Sequence, residues 1–210
     1  VFTCNECGAS TPKWVGQCPS CGAWNSLYET AVTPASHARA GRQYGEPVPA
    51  RYLAEVAAEK IARIPTGVSE LDRVLGGGLV VGSVVLIGGD PGIGKSTLLI
   101  QALATIGDGA QVLYVSGEES SDQIALRARR LGLKGDRLRL LTETQVEKII
   151  ACAQGERPQV IVVDSIQTMY TEILQSAPGS VAQVRESAAQ LVRFAKQTGT
   201  ALFLVGHVTK

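Results

Sequence analysis

The sequence predicts an α/β fold with a mostly parallel sheet, preceded by a small module built around a metal ion. Three observations carry this prediction. From about residue 61 onward, short apolar runs alternate with amphipathic stretches, a glycine-rich turn joins one such pair, and two Cys-x-x-Cys pairs lie near the amino terminus. Apolar strands that alternate with helices form parallel sheets in which both faces are covered.

We predict five strands in this sheet, over residues 83–88, 111–116, 137–141, 160–164 and 201–206. They are rich in Val, Ile and Leu, which is typical of strands buried on both faces. The helices that connect them are predicted over residues 95–106, 121–131, 144–153 and 181–197. Such crossovers are right-handed in nearly all parallel sheets.

The composition divides the chain into three predicted parts. Residues 1–28 are rich in Cys, Gly, Pro and Trp and show no helical or strand periodicity of hydrophobic residues. This module therefore needs something other than an apolar core to stabilise it. Residues 29–60 are predicted to be a linker, because most of them belong to a stretch of Ala, Pro, Ser, Gly and Arg. Residues 61–210 form the α/β core, which we expect to be incomplete at its carboxyl end because the sequence stops after a predicted strand.

Charge and hydropathy exclude several classes of protein. Twenty Lys and Arg residues balance 19 Asp and Glu residues, so the net charge of +1 gives no overall field for nucleic acid or a membrane surface. The longest apolar stretch, residues 79–88, is shorter than the roughly 20 residues of a membrane-spanning helix. The amino terminus also lacks the pattern of a secretory leader. We expect a cytoplasmic protein with no membrane partner.

Four of the five cysteines have the spacing of a tetrahedral zinc site. Each pair is followed by a glycine that suits a tight turn, so the thiolates of both turns can face one ion. The predicted zinc ligands are Cys4, Cys7, Cys18 and Cys21. A redox-active pair is the alternative. Trp14 and Trp24 are expected to pack against the metal knot, with base stacking as the alternative, and Cys152 is expected in the core.

Residues 89–96 match the phosphate-binding pattern G-x-x-x-x-G-K-[ST] between a predicted strand and a predicted helix. Backbone N–H groups of such a loop point at phosphate oxygens, and the helix dipole adds to the attraction. Lys95 is predicted to contact the β and γ phosphates, Ser96 to ligate Mg2+ and Thr97 to contact the α phosphate. The nucleotide is expected to be ATP, because no Asn-Lys-x-Asp guanine-reading motif is present. The predicted nucleotide-binding residues of this segment are Gly89, Asp90, Pro91, Gly92, Ile93, Gly94, Lys95, Ser96 and Thr97.

Three more side chains are predicted near the phosphates, because each lies at the carboxyl end of a predicted strand. Asp164 ends an apolar run and is predicted to hold Mg2+ together with Ser96. Glu118 is predicted to orient or deprotonate the attacking water, and Glu119 is the alternative. His207 is a candidate sensor of the γ phosphate, although a lone histidine at this position is often only structural.

A basic cluster lies between residues 127 and 139. A solvated helix face or a subunit contact is the favoured interpretation, and a DNA-facing patch is the alternative. Its members are Arg127, Arg129, Arg130, Lys134, Arg137 and Arg139, with Asp136 among them.

The order of these features resembles the RadA (Sms) family of bacterial DNA repair proteins, in the RecA-like ATPase superfamily. The resemblance covers essentially the whole chain. It rests on the four-cysteine cluster, the linker, Ile-Pro-Thr-Gly-Val-Ser-Glu-Leu-Asp-Arg-Val-Leu-Gly-Gly-Gly at 64–78, the phosphate loop, Tyr-Val-Ser-Gly-Glu-Glu-Ser at 114–120 and Val-Gly-His-Val-Thr-Lys at 205–210. The family's Lys-Asn-Arg-Phe-Gly motif and carboxyl-terminal domain are not found in these 210 residues.

The resemblance implies a RecA-like P-loop ATPase core that uses ATP, Mg2+ and Zn2+. It also implies a homo-hexamer that binds single-stranded DNA and branched recombination intermediates, drives branch migration, and has a recombinase or a replicative helicase as partner. Lys95 and Glu118 are then catalytic, and His207 belongs to the switch that couples nucleotide to DNA. The polar segment 165–180 falls where such proteins carry a mobile DNA-binding loop.

The residues leave other functions open beside a DNA motor with DNA-stimulated ATP hydrolysis. One is a nucleotide-switched scaffold that recruits a protein partner through the zinc module without moving along DNA. Another is a zinc-ribbon module with a vestigial nucleotide pocket, against which Glu118 and Asp164 argue. Stimulation of hydrolysis by single-stranded DNA distinguishes the motor from the scaffold, because coupling between two binding sites is reciprocal.

Overall fold

The computed structural model describes residues 2–29, residue 52 and residues 62–207. The linker predicted over 29–60 lies outside the described residues except at its first position and at residue 52, and so do residues 208–210. The division of the chain into 1–28, 29–60 and 61–210 therefore stays a prediction. No helix among the described residues is both long enough and apolar enough to cross a membrane.

The amino-terminal module is a three-stranded antiparallel sheet with very little apolar core. Its strands are β1 (Phe2–Cys4), β2 (Ser10–Thr11) and β3 (Leu27–Glu29), in the order β2-β1-β3. Its buried cluster consists of two cysteines and one leucine: Cys4, Cys18 and Leu27. Three side chains are too few to stabilise a sheet of this kind, which leaves the order of the module to a metal ion.

The second part of the chain opens with a small two-stranded ribbon. Strands β4 (Arg63–Ile64) and β5 (Leu79–Val80) pair antiparallel, and the short helix α1 (Ser69–Val74) lies between them in the chain. Leu71 of α1 and Leu79 of β5 are buried in the main apolar core, so both elements pack against the rest of the domain.

Five parallel strands form the central sheet, which confirms the predicted α/β class. Their order is β6-β10-β9-β7-β8, and every neighbouring pair is parallel. The strands are β6 (Val84–Gly89), β7 (Val112–Ser116), β8 (Leu138–Thr142), β9 (Val160–Asp164) and β10 (Ala201–His207).

Helices cover both faces of the sheet, because successive strand residues point to opposite sides. On one face, α2 (Lys95–Gly107) and α3 (Ser121–Arg130) pack against residues such as Tyr114, Val162 and Phe203. On the other face, α4 (Val146–Glu156) and α5 (Val181–Thr198) pack against the residues that alternate with them. The predicted helices are present, and their ends differ by a few residues.

The largest shift is at α4, which begins at Val146 and ends at Glu156 instead of spanning 144–153. Its two expected first residues are extended because they pair with a later segment. The backbone N–H of Tyr170 donates to the Thr144 carbonyl, and the N–H of Val146 donates to the Tyr170 carbonyl, both at 2.9 Å.

The segment 165–180 is anchored to α5 along part of its length. The side chain of Gln183 is 1% exposed, and its amide nitrogen donates to the carbonyls of Thr171, Leu174 and Ser176 at 2.9–3.2 Å. Its amide oxygen accepts from the Thr171 N–H at 2.8 Å. One buried glutamine therefore fixes the middle of a segment for which the resemblance implies a mobile loop.

We expect Gln183→Leu to loosen this segment, because leucine fills the space but leaves buried backbone groups without partners. The loss should be about 2–3 kcal/mol of unfolding free energy. Denaturant unfolding and hydrogen exchange of the amides of residues 171–176 measure it. The matched control is Gln197→Leu on the exposed side of the same helix, which should change neither. Unaltered exchange in the Gln183 variant would contradict this account.

Candidate active site and metal centre

Four neighbouring strands deliver the predicted site residues to one edge of the sheet. The phosphate loop follows β6, Glu118 follows β7, Asp164 ends β9 and His207 ends β10. The parallel register sets His207 opposite Gly89 and Ser116 opposite Asp164. The carboxyl edge of an open parallel sheet is where α/β proteins bind ligands.

The phosphate loop has the backbone that its glycines permit. Gly92 and Gly94 have φ angles of 79° and 101°, a region that other residues rarely adopt. Helix α2 begins directly after Gly94, and no side chain caps its first N–H groups. A long helix whose first N–H groups lack a side-chain partner attracts an anion, so this loop fits a phosphate chain. Ser96 and Thr97 lie half-buried in the first turn of α2, where their side chains can contact the bound phosphates.

Lys95 begins a hydrogen-bonded chain that crosses the site. Its ammonium group donates to the carbonyls of Gly89 and Asp90 at 2.8 and 2.9 Å, and lies 3.3 Å from Nδ1 of His207. An ammonium group can only donate, so Nδ1 accepts and the ring proton is on Nε2. Nε2 then donates to Oε1 of Glu118 at 3.3 Å. Three predicted catalytic residues are thus in direct contact.

Asp164 is 7% exposed and is held by a tyrosine that we did not predict to be part of the site. The hydroxyl of Tyr114, in the middle of β7, donates to Oδ2 of Asp164. Burial, and next the charge of Asp164, raise the pKa of Tyr114, so this hydroxyl stays protonated and remains a donor. The second carboxylate oxygen has no hydrogen-bond partner from the described residues and is available to a cation.

The structure separates Glu118 from Glu119. Oε1 of Glu118 accepts from the Ser165 hydroxyl as well as from His207, so Glu118 faces the site. Glu119 pairs instead with Arg127, and its backbone is held by the Ser116 hydroxyl. This geometry favours Glu118 for the catalytic role, which stays a prediction.

The turn before Glu118 depends on Gly117. A side chain at this position would meet Thr168 and Met169, and the Gly117 N–H donates to the Asp164 carbonyl at 2.9 Å. The segment after β9 therefore packs directly against the turn after β7.

Three residues of this network, Tyr114, Ser165 and Gln167, have no clear signal in the sequence. Tyr114 looked like a core residue of an apolar strand, and Ser165 and Gln167 looked like the start of a polar loop. The Gln167 side chain donates to the His207 carbonyl at 3.1 Å. The only signal for Ser165 was its place directly after Asp164.

The basic cluster is partly neutralised within the chain. Arg127 pairs with Glu119, Arg139 pairs with Glu156, and Arg137 donates to the Asp108 carbonyl at 3.1 Å. This arrangement agrees with the favoured interpretation of a solvated helix face or a contact surface.

Four cysteine sulfurs meet in the amino-terminal module. Every pair of them lies within 4.8 Å, with Cys4 to Cys21 at 3.7 Å and Cys7 to Cys18 at 3.6 Å. A tetrahedron with metal–sulfur bonds of about 2.3 Å has edges of about 3.8 Å, so the residues fit zinc. Two equivalent turns build the site, since the N–H groups after Cys7 and Cys21 donate to the carbonyls of Cys4 and Cys18 at 2.9 and 2.8 Å.

The thiols perturb one another strongly. Burial raises the pKa of Cys4, but hydrogen bonds with the Ser26 side chain and with neighbouring backbone groups outweigh it and lower the value to about 6. A backbone N–H lowers the pKa of Cys21, but burial and the three other sulfurs raise it to about 12. Crowded sulfurs oppose the loss of further protons, and a divalent cation relieves this repulsion.

The expectation that Trp14 and Trp24 pack against the metal knot is wrong. Trp14 is 54% exposed and Trp24 is 71% exposed. Both rings flank Gly16, where there is no side chain to cover them. A module with a core of three side chains has no interior large enough for two indole rings.

Comparison with known proteins agrees with both parts of the chain. A family model described as "AAA domain" matches residues 49–210, and one described as "Rubredoxin metal binding domain" matches residues 2–29. Among solved structures, a KaiC-like protein from the archaeon Pyrococcus horikoshii has a TM-score of 0.59 at 19% identity, over 70% of this chain and 73% of its own. That similarity shows the fold.

Curated relatives match the whole chain. The DNA repair protein RadA of Pseudomonas aeruginosa is 62% identical, that of Escherichia coli 51% and that of Bacillus subtilis 48%, each over 100% of this chain. The chain spans about half the length of these relatives, 47%, 47% and 46% respectively. The resemblance stated from the motifs is confirmed.

We expect Cys21→Ser to abolish stoichiometric zinc binding and to unfold residues 2–29, because the ion supplies most of the folding free energy of so small a core. Metal analysis and limited proteolysis measure both effects. Cys152→Ser is the matched control and should keep one zinc per chain, since Cys152 lies on α4 outside the cluster. A module that resists proteolysis without metal would contradict the structural role.

Proposed function

The chain belongs to the AAA domain family, and we propose that it is the ATP-hydrolysing part of a DNA-binding motor of recombinational DNA repair. In this proposal it promotes branch migration of recombination intermediates on single-stranded DNA, as part of a homo-hexameric ring. One observation carries it: the hydrogen-bonded chain from Lys95 through His207 and Glu118 to Ser165, which links the phosphate loop to the segment 165–180.

The loop residues 89–97 would hold the phosphates of ATP. Lys95 would neutralise the β and γ phosphates, and Ser96 with Asp164 would hold Mg2+. Bound Mg2+ supplies positive charge that stabilises the transferring phosphoryl group. Glu118 keeps one carboxylate oxygen outside its hydrogen bonds, which is free to orient a water.

The same contacts connect the nucleotide site to the segment that we propose binds DNA. Ser165 and Gln167 open the segment 165–180, and they contact Glu118 and the backbone of His207. A shift of the His207 backbone on nucleotide binding would therefore change its contact with Gln167, and through that contact the segment 165–180. Farther along the same segment, Glu172, Ile173 and residues 177–179 are exposed, so a strand of DNA can reach them. The relatives are named DNA repair proteins, which supports DNA as the ligand.

A nucleotide-switched scaffold is the second candidate, and the exposed tryptophans favour it. Trp14 and Trp24 form an apolar surface on the zinc module. The described module carries Lys13 against Glu6 and Glu29, and four thiolates around a divalent ion add two negative charges. Such a surface suits a protein partner better than a phosphate backbone. A recombinase or a replicative helicase is the kind of partner we propose for it.

We expect single-stranded DNA to accelerate ATP hydrolysis by the intact protein. Lys95→Ala should abolish hydrolysis and weaken ATP binding, because it removes the charge that the phosphates meet. Glu118→Gln should retain ATP binding and lose hydrolysis on the order of 100-fold or more, the usual cost of losing a general base. Steady-state phosphate release and nucleotide titrations measure these effects.

Glu119→Gln is the matched control, because Glu119 pairs with Arg127 and, among the described residues, takes no part in the hydrogen bonds that run from Lys95 to Ser165. It should hydrolyse ATP at close to the native rate. Hydrolysis that ignores DNA would reject the motor and favour the scaffold, and equal losses in both glutamate variants would reject the role given to Glu118.

A further inference from the structure

We propose that two buried hydroxyl groups are positioning residues of the hydrolysis site: Tyr114 for the carboxylate of Asp164, and Ser165 for the carboxylate of Glu118. Neither residue was predicted from its sequence pattern. The inference deepens the proposed function and rests on it, because it assigns the means by which this chain orients its metal-binding and catalytic carboxylates.

Tyr114 can hold Asp164 in only one orientation. Tyr114 is 2% exposed, and its ring is fixed in the apolar core against α2 and α3. Its hydroxyl donates to one oxygen of Asp164, which is itself 7% exposed at the end of the neighbouring strand. A carboxylate can turn about its terminal bond, and a hydrogen bond from a fixed donor stops that turn. The other oxygen then keeps a constant direction for a cation.

Ser165 performs the same task for Glu118. Its side chain is fully buried, and its carbonyl accepts from both the N–H and the hydroxyl of Thr168, which fixes the backbone. The Ser165 hydroxyl donates to Oε1 of Glu118, the oxygen that also faces His207. With Oε1 held twice, Oε2 is the oxygen left to orient a water.

The two contacts share one design. In each carboxylate, one oxygen accepts a hydrogen bond from a hydroxyl on an adjacent, rigid part of the sheet edge. The other oxygen remains available, for a cation at Asp164 and for a water at Glu118. Partners of this kind, one step removed from the reacting groups, typically change metal affinity or activity about 10- to 100-fold when removed. The two hydroxyls should therefore affect different quantities: Tyr114 the binding of Mg2+, and Ser165 the rate of hydrolysis.

The test compares Tyr114→Phe and Ser165→Ala with native protein, using the intact protein throughout. For Tyr114→Phe, titration with a fluorescent ATP analogue should show binding weakened in Mg2+ but unchanged in excess chelator. The Mg2+ concentration for half-maximal hydrolysis should rise about tenfold, and high Mg2+ should restore the rate.

For Ser165→Ala, analogue binding and the KM for ATP should stay within about twofold, while kcat falls about 10- to 100-fold.

Matched controls separate positioning from damage to the core. Ser187→Ala removes a buried hydroxyl that has no hydrogen-bond partner among the described residues, and Tyr28→Phe removes a phenol in the amino-terminal module. Both should hydrolyse ATP at the native rate. The unfolding temperatures of the two test variants should fall by only a few degrees, because both substitutions conserve the packing and each removes one hydrogen bond to a carboxylate.

Two results would overturn the inference. One is native kcat and native Mg2+ dependence in the test variants. The other is weaker binding even in excess chelator, together with a lower kcat and an unfolding temperature lowered by more than about 10 °C, which indicates a structural role alone. If native protein hydrolyses no more ATP than Lys95→Ala, the proposed function fails instead, and the Mg2+-dependent binding of the analogue to Tyr114→Phe still decides whether Tyr114 orients Asp164.

Discussion

The parallel pairing of β10 between β6 and β9 is the constraint on which the site depends. It places the end of β10 beside the phosphate loop and, through β9, beside the end of β7. Residues from distant parts of the chain, such as Lys95 and His207, meet because their strands end at the same edge. A slip of one residue in this pairing would move each side chain to the opposite face of the sheet, where it could not reach the loop.

Two charged groups at this edge, Lys95 and Asp164, are buried, and burial of a charge is costly unless hydrogen bonds compensate it. The ammonium group of Lys95 has two carbonyls and an imidazole nitrogen around it, and Asp164 has the Tyr114 hydroxyl. These contacts satisfy the charges and at the same time orient them. The same hydrogen bonds therefore serve stability and function. They compensate the buried charges, and they leave one oxygen of Asp164 for a cation.

The amino-terminal module follows a different principle. Its buried cluster contains two of the metal-ligating cysteines, so the apolar core and the metal site are the same group of atoms. With the interior occupied by sulfur, large side chains have no place inside. This explains why Trp14 and Trp24 are exposed, although tryptophan is usually buried over much of its surface.

Patterns in the sequence are enough to predict the α/β class, the positions of the five strands, the phosphate loop and the four-cysteine cluster. These features depend on local patterns of hydrophobicity, glycine and cysteine spacing, which a single chain segment displays. The strand order and the late start of α4 are known only from the folded structure. The same holds for the side chain that faces the site, Glu118 and not Glu119, and for the network through Tyr114, Ser165 and Gln167. These features depend on contacts between residues tens of positions apart, and no local pattern records which distant strand will lie alongside.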